Sequence, residues 1–185
     1  MFDPLLPTSR QRNRSHLIQS FPSEERASCE SGLLENHDYF DIRGIEIEEA
    51  IEVIDAEAKL LARIEVIPAE KQEDELNQIE DELYDDFDCL VSFDLGVGGL
   101  VTALSAVGCV PISSCNGGGL GDHHRIPHPW VIFHASETSL TFLLEAAEQT
   151  DTGLINNTDG MLQAFSDDSR KFNRMARYLV DHCQS

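Results

Sequence analysis

The residues from 113 to 136 read SSCNGGGLGDHHRIPHPWVIFHAS and combine a cysteine, three consecutive glycines, three histidines before the strand-like end, and the only tryptophan. Thiolate and imidazole are the usual zinc ligands, and a structural zinc site needs four of them. Cys115, His123, His124 and His128 fall within fourteen residues and are the candidate ligands. No CxxC pair is present and no HxxxH pair lies on a predicted helix, so a polar loop with exposed histidines stays the alternative.

The same stretch could support nucleophilic catalysis. Cys115 follows a predicted strand, and the N–H groups of a glycine-rich turn could hold an oxyanion or a phosphate. A loop histidine such as His123 is the candidate base, and Asp94 or Asp122 could orient it. Buried cysteines are usually inert small hydrophobes, so a structural role for Cys115 is the alternative.

A ligand-binding loop is a third interpretation of these residues. Trp130 and His134 would face the same side of a strand, because side chains alternate along a strand. The alternatives are a packing tryptophan and a hydrogen-bonded core or rim histidine. The candidate contact residues of this loop are Asn116, Gly117, Gly118, Gly119, Trp130 and His134.

Predicted strands at 109–114 and 130–135 must position this loop. Loops between hairpin strands usually have two to five residues, so a loop of about fifteen residues is expected to be functional or disordered. Pro111 favours a sheet edge or a strand start for the first strand, because proline has no N–H to donate.

The second half of the chain predicts an α+β fold with a small, mostly antiparallel sheet and packed helices. Asp94 is predicted to cap a helix that ends at Ala106. Residues 139–149 predict a second helix, residues 153–165 a hairpin, and the segment around Phe172–Val180 a last helix. The sequence GVGG at 96–99 lacks the Lys-Ser/Thr ending of a phosphate loop, and close helix packing explains it equally well.

Residues 100–118, LVTALSAVGCVPISSCNGG, resemble the helix–strand–SSCxG stretch of the wybutosine tRNA-modifying methyltransferase family. After the cysteine, an Asn and three glycines stand where that family has a Ser followed by Gly-Arg. The resemblance implies that a helix, a strand and a conformationally special turn belong together. No activity, cofactor or substrate is carried over from it.

The charge of −21 is concentrated in one part of the chain. Residues 30–94 hold 22 acids and four bases, whereas residues 95–185 hold nine acids and five bases. We therefore divide the chain into a flexible tail at 1–30, an acidic helical hairpin at 31–88 and an α+β domain at 89–185. Such acidity argues against groove binding to double-stranded nucleic acid, because phosphates are repelled.

The first helix of this hairpin is predicted at residues 45–64. Its apolar stripe is Ile47, Ile51, Ile54, Ala58 and Leu61, and its acids Glu46, Glu48, Glu49, Glu52 and Glu57 fall mostly off that stripe. A second helix is predicted to start after Pro68. Its apolar stripe is Leu76, Ile79, Leu83 and Phe87.

Dense carboxylates repel one another unless an opposite charge meets them. We predict an acidic interaction protein, immunity- or antitoxin-like or an accessory subunit, that binds a basic protein such as a nuclease or another nucleic-acid-processing enzyme. A solvated helix surface is the plain alternative. The predicted partner-binding residues are Glu73, Asp74, Glu75, Glu80, Asp81, Glu82, Asp85 and Asp86.

A small Cys/His- or zinc-dependent enzyme or ligand-binding protein, with its site in residues 115–128, is the alternative function. Whether the protein is an enzyme stays open, and zinc is the only cofactor with candidate ligands. The five cysteines are odd in number and widely spaced, unlike a secreted disulfide framework. With no secretion signal and no membrane-length apolar run, a cytoplasmic location without membrane contact is expected.

Overall fold

The computed structural model describes residues 42, 44–68, 71, 75, 78–79, 93–117, 128–157 and 161–183. These residues form an α+β arrangement of four helices and one antiparallel sheet of four strands, in the predicted order. The helices are α1 (Ile47–Glu65), α2 (Gly98–Ala106), α3 (Leu140–Gln149) and α4 (Ser169–His182). The strands are β1 (Val110–Cys115), β2 (Trp130–His134), β3 (Gly153–Asn156) and β4 (Leu162–Phe165).

The strands follow the spatial order β1-β2-β4-β3, and every neighbouring pair is antiparallel. The prediction that Pro111 favours an edge is confirmed, because β1 is an edge strand. The register between β1 and β2 shifts between Pro111 and Ser113, where the missing proline N–H would otherwise leave a gap in the hydrogen-bond ladder. The predicted hairpin of β3 and β4 is also confirmed.

One face of the sheet packs against the helices. Val131 and Phe133 of β2 and Ala164 of β4 are completely buried in the main core cluster. Burying a side chain of the size of valine or phenylalanine contributes about 1.5–3 kcal/mol. All four helices contribute to the same cluster, among others through Ile54, Leu104, Leu143 and Phe172.

Helix α1 is buried over a wider arc than the predicted stripe. Ala50 and Ile54 belong to the main core, whereas Val53 and Leu60 belong to a second cluster that includes the fully buried Ile79. Because α1 is covered from two sides, it has no single narrow apolar stripe. Most of the predicted second helix and the whole predicted tail lie outside the described residues.

The predicted cap of α2 at Asp94 is wrong. The helix begins at Gly98, and its N-cap residue is Val97. Asp94 instead begins a turn in which its carbonyl accepts a hydrogen bond from the Val97 N–H at 3.2 Å. The Gly96 and Gly99 N–H groups around this start both donate to the buried carboxylate of Glu57 in α1.

Candidate functional site

The turn after β1 closes the base of the long loop. Gly117 has a φ of +80°, and a Cβ on it would lie 2.6 Å from the His128 carbonyl carbon. Its N–H donates to Cys115 Sγ at 3.4 Å, and Cys115 pairs with Trp130 across the two strands. The two ends of the loop are therefore in backbone contact, and only glycine fits at residue 117.

The strand residues that point away from the core form a surface that we call the outer sheet face. Two rows of paired residues cross this face, since directly opposed residues of antiparallel strands point to the same side. The first row is Cys115, Trp130, Phe165 and Gly153, and the second is Ser113, Ile132, Gln163 and Ile155; Val110 and His134 continue the face on β1 and β2.

The structure brings several predicted site residues together on or beside the outer sheet face. Cys115, Asn116 and His134 are 6%, 6% and 7% exposed, and Trp130 is half-buried. A small apolar cluster of Ile112, Met161, Val110 and Ile132 lies on the same part of the sheet. The predicted site residues Gly118, Gly119, Asp122, His123 and His124 lie outside the described residues.

Two hydrogen-bond donors on this face have no acceptor among the described residues. They are Trp130 Nε1 and Gln163 Nε2, and both atoms are buried. Leaving a buried donor unsatisfied costs about 1–3 kcal/mol. Sequence analysis missed Gln163; the available signal was an amide side chain inside a short strand between apolar neighbours.

The metal and nucleophile predictions are not decided by the described residues. No three His, Cys, Asp or Glu side chains converge within them, but His123 and His124 are not among them. His128 is half-buried next to Gly117. Cys109 is a different case, because burial in the main core raises the pKa of its thiol to about 12 and thus suppresses the reactive thiolate.

The glycine-rich turn before α2 holds a carboxylate of the protein itself. Glu57 of α1 is completely buried. Its Oε1 accepts the Gly96 N–H at 3.0 Å, and its Oε2 accepts the Gly99 N–H at 3.2 Å and the Asn173 Nδ2 at 3.2 Å. A negative charge at a helix N-terminus is favourable, so Glu57 supplies what a bound anion would supply elsewhere.

The position of Glu57 corrects the sequence analysis in two ways. The residue does not lie off the buried side of its helix, and the GVGG sequence is filled by Glu57 rather than open to a phosphate. Burial raises the pKa of Glu57, whereas the hydrogen bonds from Asn173, Gly99 and Gly96 oppose the rise. The effect of burial is the larger one.

Three of the four Lys and Arg side chains of α4 are paired within the chain, whereas Arg174 is exposed and forms no ion pair with another described residue. Arg177 forms an ion pair with Asp55 of α1, and Arg170 with Glu65 of α1. Lys171 contacts Asp151 at 2.8 Å and Asp167 at 2.7 Å, and Arg170 also contacts Asp168 at 2.9 Å. Helices α1 and α4 thus lie antiparallel, with acids of one against bases of the other.

Two other exposed acids of α1 differ from Asp55 and Glu65 in their pairing. Glu48 and Glu52 are exposed, and neither forms an ion pair with another described residue. Of the eight predicted partner-binding acids only Glu75 is described; it is half-buried and paired with Arg63. The other seven, Glu73, Asp74, Glu80, Asp81, Glu82, Asp85 and Asp86, lie outside the described residues.

A cleft of about 1040 Å³ lies between α3 and the end of α4. Tyr178 Oη donates to Glu145 Oε1 at 3.0 Å, and the Tyr178 and His182 rings stack with centroids 4.2 Å apart. The centroids of the Phe142 and Tyr178 rings are 6.3 Å apart. Sequence analysis missed this cleft, although the spacing of four between Tyr178 and His182 places both rings on one side of a helix.

Comparisons of this chain with protein-family models, with curated proteins and with solved structures give no match. The resemblance over residues 100–118 therefore stays a prediction. Among the described residues, no helix combines the length and the apolar character needed to cross a bilayer.

Proposed function

We propose that this protein is an acidic interaction protein that binds a basic protein partner through α1 and the acidic segment that follows it. The observation that carries the proposal is the unequal pairing of charges on α1 and α4. Three of the four Lys and Arg side chains of α4 are matched by acids of the same chain, and Arg174 is the exception. On α1, Glu48 and Glu52 are exposed without a cation among the described residues.

The internal pairing of three of its four Lys and Arg side chains argues against α4 as a nucleic-acid surface. Phosphate binding needs Lys and Arg side chains that can release counterions from the nucleic acid. Arg170, Lys171 and Arg177 instead hold acids of their own chain in place. The net charge of −21 points in the same direction, and both observations favour a cationic partner over a nucleic acid.

The geometry of α1 places Glu48 and Glu52 on one defined surface. Glu48 and Glu52 are four residues apart, so their side chains are neighbours on the helix and repel each other by about 0.2–0.5 kcal/mol. A cation between them would remove this repulsion. The seven predicted acids of residues 73–86 that lie outside the described residues follow α1 in sequence, and we include them in the proposed docking surface.

A basic enzyme that acts on nucleic acid is the class of partner that fits this surface best. Such enzymes carry cationic surfaces that receive phosphates, and a row of carboxylates offers the same sign of charge. Binding would resemble the neutralisation of a nuclease by an immunity protein or the attachment of an accessory subunit. Its rate should fall with increasing salt, because exposed charges are screened within about 8 Å at physiological ionic strength.

The test is charge reversal with a matched control. The Glu48→Lys/Glu52→Lys variant and an Asp81→Lys/Asp85→Lys variant are compared with Glu137→Lys/Asp181→Lys, which makes the same charge change at exposed sites elsewhere. Partners are captured from the producing cells at low and high salt, and their dissociation constants are then measured with purified proteins.

We expect each docking-surface variant to weaken binding at low salt by about tenfold or more, which corresponds to about 1.4 kcal/mol. The control variant and Cys115→Ala should bind as the unchanged protein does. Equal losses in the control would reduce the effect to net charge, and unchanged binding of both docking-surface variants at low salt would refute the proposal.

A further inference from the structure

We propose that the outer sheet face binds a small planar molecule and that Trp130 and Gln163 donate hydrogen bonds to a carbonyl-type oxygen of this ligand. The inference is independent of the docking function, because it uses the sheet and not α1. It rests on the two buried donors, on their places in the strand register and on the apolar residues around them.

The two side-chain nitrogen atoms can only donate hydrogen bonds. The indole Nε1 donates and cannot accept, and the amide Nε2 of glutamine also only donates. Gln163 is 3% exposed, and neither donor atom has an acceptor among the described residues. Since buried polar groups are nearly always satisfied, two unsatisfied donors on one face call for an acceptor from outside the described fold.

The strand register places the two donors close to each other on the outer sheet face. Trp130 pairs with Phe165, and Gln163 pairs with Ile132, so Trp130 and Gln163 are diagonal neighbours on β2 and β4. Diagonal neighbours on one face lie about 7–8 Å apart, within the reach of long and aromatic side chains. One oxygen, or the two oxygens of one group, can therefore receive both donors.

Apolar side chains surround the two donors on the outer sheet face. Ile132 and Ile155 flank Gln163 in its row, and Phe165 follows Trp130 in the other row. All three are half-buried, so part of each surface remains accessible. Ligand sites are mostly apolar with a few placed polar groups, and three strands at a spacing of about 4.8 Å span the width of an aromatic ring.

Glycine at residue 153 shapes the edge of this surface. A Cβ on Gly153 would lie 2.2 Å from Phe165 Cζ, so the Phe165 ring lies flat over the glycine. Phe165 is half-buried and pairs with Trp130 in the strand register, so the accessible part of its ring belongs to the same row as the indole. A planar ligand can stack on such a ring, because offset aromatic contacts are favourable.

Access to the two donors requires a movement of side chains, since both nitrogen atoms are buried. Ile132 and Phe165 are the half-buried neighbours that would shift. A purely structural role would not explain the choice of Gln163, because leucine or methionine would fill the same space without an unsatisfied donor.

The chain contains one tryptophan, so a single indole N–H signal in an NMR spectrum reports on the site directly. The probe is N,N-dimethylbenzamide, which carries a ring and an acceptor oxygen but no donor. Benzylammonium, which has the same ring and only donors, is the control ligand. The Gln163→Met variant removes one donor at nearly constant volume, and Ser113→Ala, in the same row but exposed, is its matched control.

We expect millimolar N,N-dimethylbenzamide to move the Trp130 indole N–H signal downfield, and benzylammonium to leave it in place. Gln163→Met should raise the melting temperature of the free protein and weaken binding of the probe about tenfold, whereas Ser113→Ala should do neither. Trp130 is kept in every variant, because its indole N–H is the reporter.

Three results would overturn the inference: an unmoved indole signal with the amide, an equal response to benzylammonium, or undiminished amide binding by Gln163→Met. The last result would be decisive even if this variant lost stability. The Glu48→Lys/Glu52→Lys variant should retain the indole shift, so failure of the docking proposal and failure of this one can be told apart.

Discussion

Glu57 and Gly99 should be energetically coupled, and a double-mutant cycle can measure this coupling. Exchanging glycine for alanine in a helix normally stabilises by up to about 1 kcal/mol. At Gly99 the new Cβ would lie 2.6 Å from Glu57 Oε2 and 3.4 Å from Asn173 Nδ2. Such overpacking costs about 1–3 kcal/mol, so Gly99→Ala should destabilise the protein by about 1–2 kcal/mol.

The sign should reverse when the carboxylate is removed. Glu57→Ala leaves the Gly96 and Gly99 N–H groups without their acceptor and should cost about 3 kcal/mol by itself. In this background the methyl group introduced by Gly99→Ala enters the vacated space, and the substitution should stabilise by up to about 1 kcal/mol. The coupling energy is then about 2 kcal/mol.

Urea denaturation followed by circular dichroism measures all four corners of the cycle. Gly108→Ala is the control, because Gly108 has a φ of +83° and open space around its Cβ position. Its cost is backbone strain and should be the same with and without Glu57. Additivity of Glu57→Ala and Gly99→Ala within about 0.5 kcal/mol would show that the carboxylate does not occupy this turn.

Two further predictions concern pH and the base of the loop. Burial raises the pKa of Glu57 above the ordinary glutamate value of 4.5. Between 4.5 and the raised pKa, the folded protein therefore binds more protons than the unfolded chain. The free energy of unfolding should fall as the pH rises through this range. In Glu57→Gln this part of the pH dependence should be missing from urea titrations, and an unchanged difference between the two proteins at every pH would contradict it. Gly117→Ala should lower stability by about 2–4 kcal/mol, since it combines a positive φ with a backbone clash at His128; a thermal melt like that of Gly108→Ala would count against the clash.

The sequence predicts the elements of this fold well, because their signals are local. A short run of four apolar residues, from 130 to 133, is enough to predict β2, and Pro111 favours an edge or a strand start for β1. The helix α1 is predicted within two residues at each end. The start of α2 is not, because the Gly96 and Gly99 N–H groups at this start bind the carboxylate of Glu57, which is distant in sequence.

The candidate site depends on contacts between distant parts of the chain, and the sequence could not show them. Gln163 becomes a site residue only because β4 inserts between β2 and β3. The burial of Glu57 likewise depends on the turn at Gly96 and on Asn173, which lie 39 and 116 residues away. A local pattern can suggest that a glutamate is exposed, but the exposed side of a helix is decided by its neighbours.

Because Gly117 and His128 are in contact, the stability of the sheet should depend little on the number of residues that join them. The β1–β2 pair is registered by its own ladder, and its two ends meet at this contact. Doubling the number of residues between two fixed ends costs only about 0.6 kcal/mol in closure entropy. Residues inserted, removed or exchanged between Gly117 and His128 should therefore leave the sheet unchanged, which makes this loop a position where a new binding specificity could be built on the same scaffold.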